Sequence, residues 1–212
     1  NAKKWIYPLT GAVEYLHNKK RYCLWLDGIS PIELKSLPLI YERVKKCRET
    51  RLASVASAIQ KFAETPHLFA QRTQPIGVPF MIVPRVSSEK RRYITMGFND
   101  GNTIASDSAQ IIPNATLYHF GILTSNVHMA WMRVVAGRLK SDYSYSPAVY
   151  NNFPWCEPTE AQKAAIEKTA QAILDARALY PDCSLADLYD EATMPPELRK
   201  AHQANDRAVM KA

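Results

Sequence analysis

The sequence has 212 residues, 47% hydrophobic and 22% charged, ordinary values for a folded protein and enough for one large domain or two small ones. No apolar run approaches the roughly 18 residues that span a bilayer, so no membrane segment is expected. The net charge of +7 is uneven: residues 1–145 hold 20 Lys and Arg against 10 Asp and Glu, and residues 146–212 hold 7 against 10. A basic body with a mildly acidic tail favours a polyanion partner for the body, without separating nucleic acid from an acidic membrane surface.

Cys23, Cys47, Cys156 and Cys183 stand far apart with no C-x-x-C pair, which reads as reduced structural thiols of a cytoplasmic protein. The five histidines (His17, His67, His119, His128 and His202) lack zinc-ligand spacing with them, so no metal is expected. The first residues carry neither an initiator Met nor a signal-peptide pattern, and the last six sit in a helix-forming run. Both ends are therefore expected to continue into a longer protein.

In chain order, residues 21–26 are aromatic and apolar up to Asp27-Gly28 and predict a buried strand. Ser30, Pro31 and Glu33 supply an N-cap, a first-position proline and a capping-box acid. A long helix should cover residues 38–62, with the stripe Ile40, Val44, Cys47, Leu52, Val55, Ile59 and Phe62 inward. Arg43, Lys45, Lys46, Arg48 and Arg51 occupy the rest of its surface, either solvated or facing phosphate. Short strands follow at residues 78–83 and 92–96, around the polar and basic loop 85–92. Asp100-Gly101 signals a tight hairpin, and further strands are expected at residues 109–112 and 116–120.

Residues 123–139 are apolar nearly all round and predict a helix buried at the centre, with Ser125 and Asn126 in a first turn able to face a phosphate. Residues 143–155 read as irregular, with a boundary near Ala148. Thr159 and Gln162 form a capping box for a helix to about Leu179, whose inner face is Ile166, Ala170, Ile173 and Leu174. A short helix at residues 184–189 and a last one from Pro195-Pro196 complete the chain. The expected fold class is α+β: a mixed strand and helix body with a buried central helix, then a small all-α tail.

Methyl transfer to an amino nitrogen of DNA needs a glycine-rich strand–helix turn for S-adenosylmethionine and an Asn/Asp-Pro-Pro-aromatic loop. None of the seven glycines stands in a G-x-G pattern, and Asn151-Asn152-Phe153-Pro154-Trp155 lacks the paired prolines. Asp27 with Glu33-Leu34-Lys35 imitates a nuclease metal motif, but Glu33 is expected in the capping box and the spacing leaves no hairpin. No nucleophile elbow is present. No catalytic residue and no cofactor-binding residue is assigned in this chain.

Three stretches say more: Leu117-Tyr118-His119-Phe120-Gly121-Ile122-Leu123-Thr124-Ser125; His128-Met129-Ala130-Trp131 leading to Gly137-Arg138-Leu139-Lys140-Ser141-Asp142-Tyr143-Ser144-Tyr145-Ser146; and Tyr150-Asn151-Asn152-Phe153-Pro154-Trp155. With Leu185-Ala186-Asp187-Leu188-Tyr189, Met194-Pro195-Pro196-Glu197-Leu198 and Ala201-His202-Gln203-Ala204-Asn205-Asp206, they closely resemble the C-terminal third of the MmeI-like enzymes. These are single-chain type II restriction–modification proteins, or stand-alone relatives, that methylate adenine at N6. The resemblance implies a target-recognition domain over residues 1–148 and a helical domain over 149–212. It places the methyltransferase domain, its S-adenosylmethionine and any nuclease upstream. The implied partners are double-stranded DNA and that upstream domain. Two departures are Ser144, where the family has Arg between the tyrosines, and Cys156, where proline is common.

Polar groups on loops held by rigid elements are the expected base readers: Arg72 and Gln74; Ser88, Lys90 and Arg92; and Ser125, Asn126 and His128. Arg138 and Lys140 are assigned to phosphate, and Tyr143 and Tyr145 to packing. The alternative is a protein-docking module built on the acidic tail; a self-contained enzyme is disfavoured by the missing motifs.

Overall fold

A computed structural model describes residues 2–212, which form two compact units: residues up to 8 with 22–74, and residues 9–21 with 75–212. In the first unit, Ile6, Tyr7 and Pro8 of strand β1 (Ile6–Thr10) pair antiparallel with Leu24, Cys23 and Tyr22 of β2 (Tyr22–Leu24). β2 is shorter and more exposed than the expected buried strand, because β1 is its single neighbour; burial starts only at Trp25 and Leu26. Helix α2 (Pro31–Lys35) is capped as its sequence dictates, Ser30 Oγ accepting from the Glu33 N–H at 3.1 Å. The Glu33 carboxylate does not close a capping box. It accepts from Trp5 Nε1 and pairs with Lys4 at 2.7 Å.

The long helix ends early. α3 (Pro38–Leu52) is followed by a break, the short α4 (Ser57–Gln60) and a 3-10 turn at Lys61–Glu64. The Arg51 guanidinium donates to the carbonyls of Phe62, Thr65 and Leu68 at 2.7, 3.0 and 2.8 Å. An unbroken helix would carry Phe62 roughly 16 Å along the axis from Arg51, out of its reach. Ile40 and Val44 are buried against Leu26 and Ile29 as the stripe requires, whereas Val55 is fully exposed.

The second unit holds the main core. Leu9 and Thr10 of β1 pair in parallel with β6 (Ile104–Ala105), and α1 (Ala12–Leu16) follows them in the chain. The fully buried β3 (Phe80–Pro84) lies between β5 (Gly97–Asn99) and β7 (Ala109–Pro113), antiparallel to both. A third sheet has the order β4 (Val86–Ser87), β9 (Asp142–Ser144) and β8 (Gly137–Leu139). Residues 92–96 are not a strand; they cross the interior irregularly, with Tyr93, Ile94, Thr95 and Met96 all buried. Asp100-Gly101 makes a turn whose Asp100 Oδ1 accepts from Asn102 N–H and the Thr103 hydroxyl, but no hairpin results, because β5 pairs with β3 and β6 with β1.

Residues 116–120, expected as a strand, instead open helix α5 (Leu117–Leu123), where Thr116 N–H donates to His119 Nδ1. In α5 Phe120, Gly121, Ile122 and Leu123 are buried, and the helix expected over 123–139 is the shorter α6 (Asn126–Val135), which buries one face rather than its whole surface. At Ala136 ψ switches to 141° and β8 begins, which leaves Val134 in solvent. The stretch 143–155 is likewise more regular than expected, containing most of β9 and all of α7 (Pro147–Asn151). The tail folds as read: the Thr159–Gln162 capping box opens α8 (Glu160–Ala178), then α9 (Leu185–Leu188) and α10 (Pro196–Val209) follow. Met81, Val83, Met96, Phe120 and Leu123 share one core with Ala170, Ile173 and Leu198. The whole is α+β with a C-terminal helical region.

α5 can approach α8 because residue 121 has no side chain. A Cβ there would sit 2.6 Å from Ile166 Cγ2 and 3.1 Å from Asn205 Oδ1. Gly121→Val should therefore lower unfolding free energy by about 1–3 kcal/mol, read as a lower urea midpoint at unchanged m-value.

Candidate nucleic-acid interface

Four of the sequence-predicted residues gather on the β4–β9–β8 sheet. Arg138 stands opposite Tyr143 across the β8–β9 pair, and Ser87 stands opposite Tyr143 on the other side. The Arg138 guanidinium lies 3.8 Å over the Tyr143 ring and donates to the Ser141 carbonyl at 2.8 Å, so its plane is held before any ligand arrives. The turn after β8 puts Lys140 in the left-handed region at φ 57°, an uncommon conformation for a residue with a Cβ. The loop after β4 comes back to the same end of the sheet. Ser88 Oγ accepts from Lys90 N–H, and Glu89 N–H donates to Asp142 Oδ1. Lys90, Arg138 and Lys140 are all exposed there. Arg91, whose charge burial disfavours, is supported by Asp142 and Asp190.

The other predicted residues are placed differently. Arg72 and Gln74 belong to the first unit, where Arg72 pairs with Asp27 at 2.7 Å. Arg92 is exposed and lies over the Tyr93 ring at 5.7 Å. Ser125 and His128 have no exposed surface. Ser125 Oγ caps α6 by accepting from His128 N–H and donates to the Ile122 carbonyl, while His128 Nε2 meets the Tyr145 hydroxyl at 3.1 Å. Both therefore serve packing rather than a DNA-facing surface. Tyr143 and Tyr145 are buried, as expected of packing residues.

The start of α6 does not await a phosphate either. Asn126 N–H and Nδ2 donate to the two oxygens of Asp206 on α10 at 2.8 and 2.7 Å, and the Tyr93 hydroxyl donates to the same carboxylate at 2.8 Å. The anion that a helix N-terminus attracts is built into the chain. Around it, His202 stacks on Tyr93 at 4.0 Å and meets the Tyr189 hydroxyl at 2.7 Å, and Asn205 Nδ2 donates to the Gly121 carbonyl at 2.7 Å. Arg177 donates to Tyr189 and to the Met96 carbonyl. This network escaped the sequence reading, although His202, Asn205 and Asp206 are spaced to share one face of α10. The other omission is Arg85, whose guanidinium donates to the Asp107 carbonyl beside β7.

Burial pushes His128 down to about 4 and His202 well below its usual value, the latter helped by Arg177. Among the described residues no group of three or more His, Cys, Asp or Glu could hold a metal ion, and no helix is long and apolar enough to cross a membrane.

Exposed Lys90, Arg138 and Lys140 at one end of a sheet, on a body that shares its core with the C-terminal helices, fit a module that recognises a polyanion. Residues 1–157 match the model of the MmeI target recognition domain and residues 158–212 that of the MmeI C-terminal domain; the chain belongs to the MmeI family. It is 41% identical over 203 residues to DNA methyltransferase A of Bacillus subtilis (strain 168), which covers 95% of this chain and 23% of that protein. Its fold matches that of the Type IIL restriction-modification enzyme MmeI, solved in complex with DNA, at TM-score 0.96 and 46% identity over 99% of this chain and 28% of that one. The chain thus spans about a quarter of the length of these relatives.

Asp206→Ala leaves the Tyr93 hydroxyl and the first turn of α6 without their acceptor and should cost at least about 2 kcal/mol in chemical unfolding. The buried histidines set a pH dependence. The unfolded chain takes up protons near pH 6.5 while folded His128 resists until about 4, so stability is full above pH 7 and falls on acidification through 6.5. Between pH 6.5 and 5, above the carboxylate range, each such histidine contributes a slope of up to about 1.4 kcal/mol per pH unit. His128→Gln should flatten that slope by one proton's worth in unfolding curves taken across this window.

Proposed function

We propose that the chain reads the sequence of double-stranded DNA for an N6-adenine methyltransferase, with methyl transfer carried out elsewhere in a longer protein. S-adenosylmethionine would bind in that other part. In this reading residues 1–148 face DNA, and residues 149–212 brace them and adjoin the methyltransferase domain. The observation that carries the proposal is the end of the β4–β9–β8 sheet, where Lys90, Arg138 and Lys140 are exposed together and Arg138 is preset on Tyr143. Family membership supports it, as does the fact that a relative of the same fold was solved on DNA.

Arg138 and Lys140 act on phosphate and set register; Lys90 and Arg92 remain the base-reading candidates, with Ser88 shaping their loop. Arg72 and Gln74 would add contacts from the first unit. Asn126 contributes through the Asp206 lock, since its amide is already engaged. Register matters because a target adenine must leave the base stack before it can be methylated.

A second reading, a docking module, is favoured by one feature of the first unit. An apolar groove of about 660 Å³ is lined by Tyr22, Leu24, Leu39, Ile40, Val44 and Phe69, with Tyr22 and Leu39 largely exposed.

Fluorescence anisotropy with labelled duplexes distinguishes the two. DNA reading requires affinity that falls steeply with salt, and Arg138→Ala or Lys140→Ala should weaken all sequences alike and reduce the salt slope by about one unit each. Arg92→Ala should instead cost about 1–3 kcal/mol at one base position if Arg92 reads guanine. Salt-indifferent self-association without affinity for DNA would select the docking reading.

A further inference from the structure

A pocket of about 340 Å³ opens between β7, the end of β3 and α7. Its walls are apolar: Val83, Ile112 and the ring of Tyr145. Three polar residues also line it, Gln110 on β7 and Tyr150 and Asn151 on α7. None of their side-chain polar groups takes part in a hydrogen bond among the described residues, although Gln110 and Tyr150 are half-buried. No Asp, Glu, Lys or Arg lines the pocket, which suits an uncharged group.

The volume lies at the lower end of the roughly 300–1,000 Å³ of small-molecule sites, which suits one flat ring system and not an extended chain. Carboxamides present a donor and an acceptor side by side, which matches the edge of a nucleobase, and aromatic and proline walls suit its faces.

We propose that this pocket holds one extrahelical nucleobase of the bound DNA. The assignment rests on the DNA-reading function; it extends the DNA-facing surface past residue 148 to Tyr150 and Asn151, and it adds a site that takes a base out of the duplex rather than reading it in the groove. Gln110 and Asn151 hold the base edge, and Tyr145 and Tyr150 flank the ring.

Two measurements on the 212-residue chain test it. In the first, adenosine, guanosine, cytidine and thymidine are titrated separately while the side-chain amide resonances of Gln110 and Asn151 are followed. At least one nucleoside should shift both saturably in the millimolar range. In the second, a duplex with one unpaired base should bind at least about fivefold more tightly than its fully paired counterpart. The double variant Gln110→Ala, Asn151→Ala should bring that ratio to about one and leave affinity for the paired duplex within about twofold. Duplex binding with no nucleoside shift overturns the pocket assignment, and so does a ratio of one in the unaltered chain or a bulge preference that survives in the double variant. Nucleoside shifts without binding to any duplex would instead defeat the DNA-reading function on which the assignment rests.

Discussion

One carboxylate holds the larger unit together. Asp206 sits near the end of the chain on α10, yet it neutralises the start of α6 and receives the Tyr93 hydroxyl from the irregular buried segment that precedes β5. A buried anion is stable only when several donors surround it. Here they come from three separate stretches of chain, so the contact forms only when all three have arrived. The terminal helices are therefore structural members of the body, sharing its core through Ala170, Ile173 and Leu198.

That lock fills the helix terminus that would otherwise suit an external anion. Asp206 engages the Asn126 N–H and Ser125 the His128 N–H at the first turn of α6, and the buried His128 has no surface. Positive charge is exposed instead on the sheet that continues from α6. The same side chain that packs the core, Tyr143, carries the Arg138 guanidinium on its outer face.

The smaller unit is organised on another principle. Arg51 gathers three carbonyls from the chain that returns after α3, converting what would have been a long helix into a helix and a folded-back loop. Five N–H donors on one planar group let a single side chain satisfy a turn that lacks regular structure of its own. Stacking of Trp25 on Phe69 at 5.5 Å closes that loop over β2 and leaves the apolar groove beside it.

Wherever local rules suffice, the sequence alone determined the outcome. The caps at Ser30 and Thr159, the helices α2, α8 and α10, strands β3 and β7, the α+β class and the excess of charge on the body were all legible, because each depends on residues within a turn or two. Tertiary structure decided what depends on distant partners. Residues 116–120 and 92–96 have β-like composition but become a helix and an irregular segment, since the core they enter offers no strand to pair with and instead offers α8 and α10. The continuous stripe to Phe62 was broken by carbonyls that only the folded loop brings to Arg51. The candidate site divides the same way: residue types named Arg138, Lys140 and Lys90, but only the pairing of β4, β9 and β8 brought them together. The occupation of the α6 terminus by Asp206 could be settled only by a contact spanning 80 residues, which no local pattern encodes.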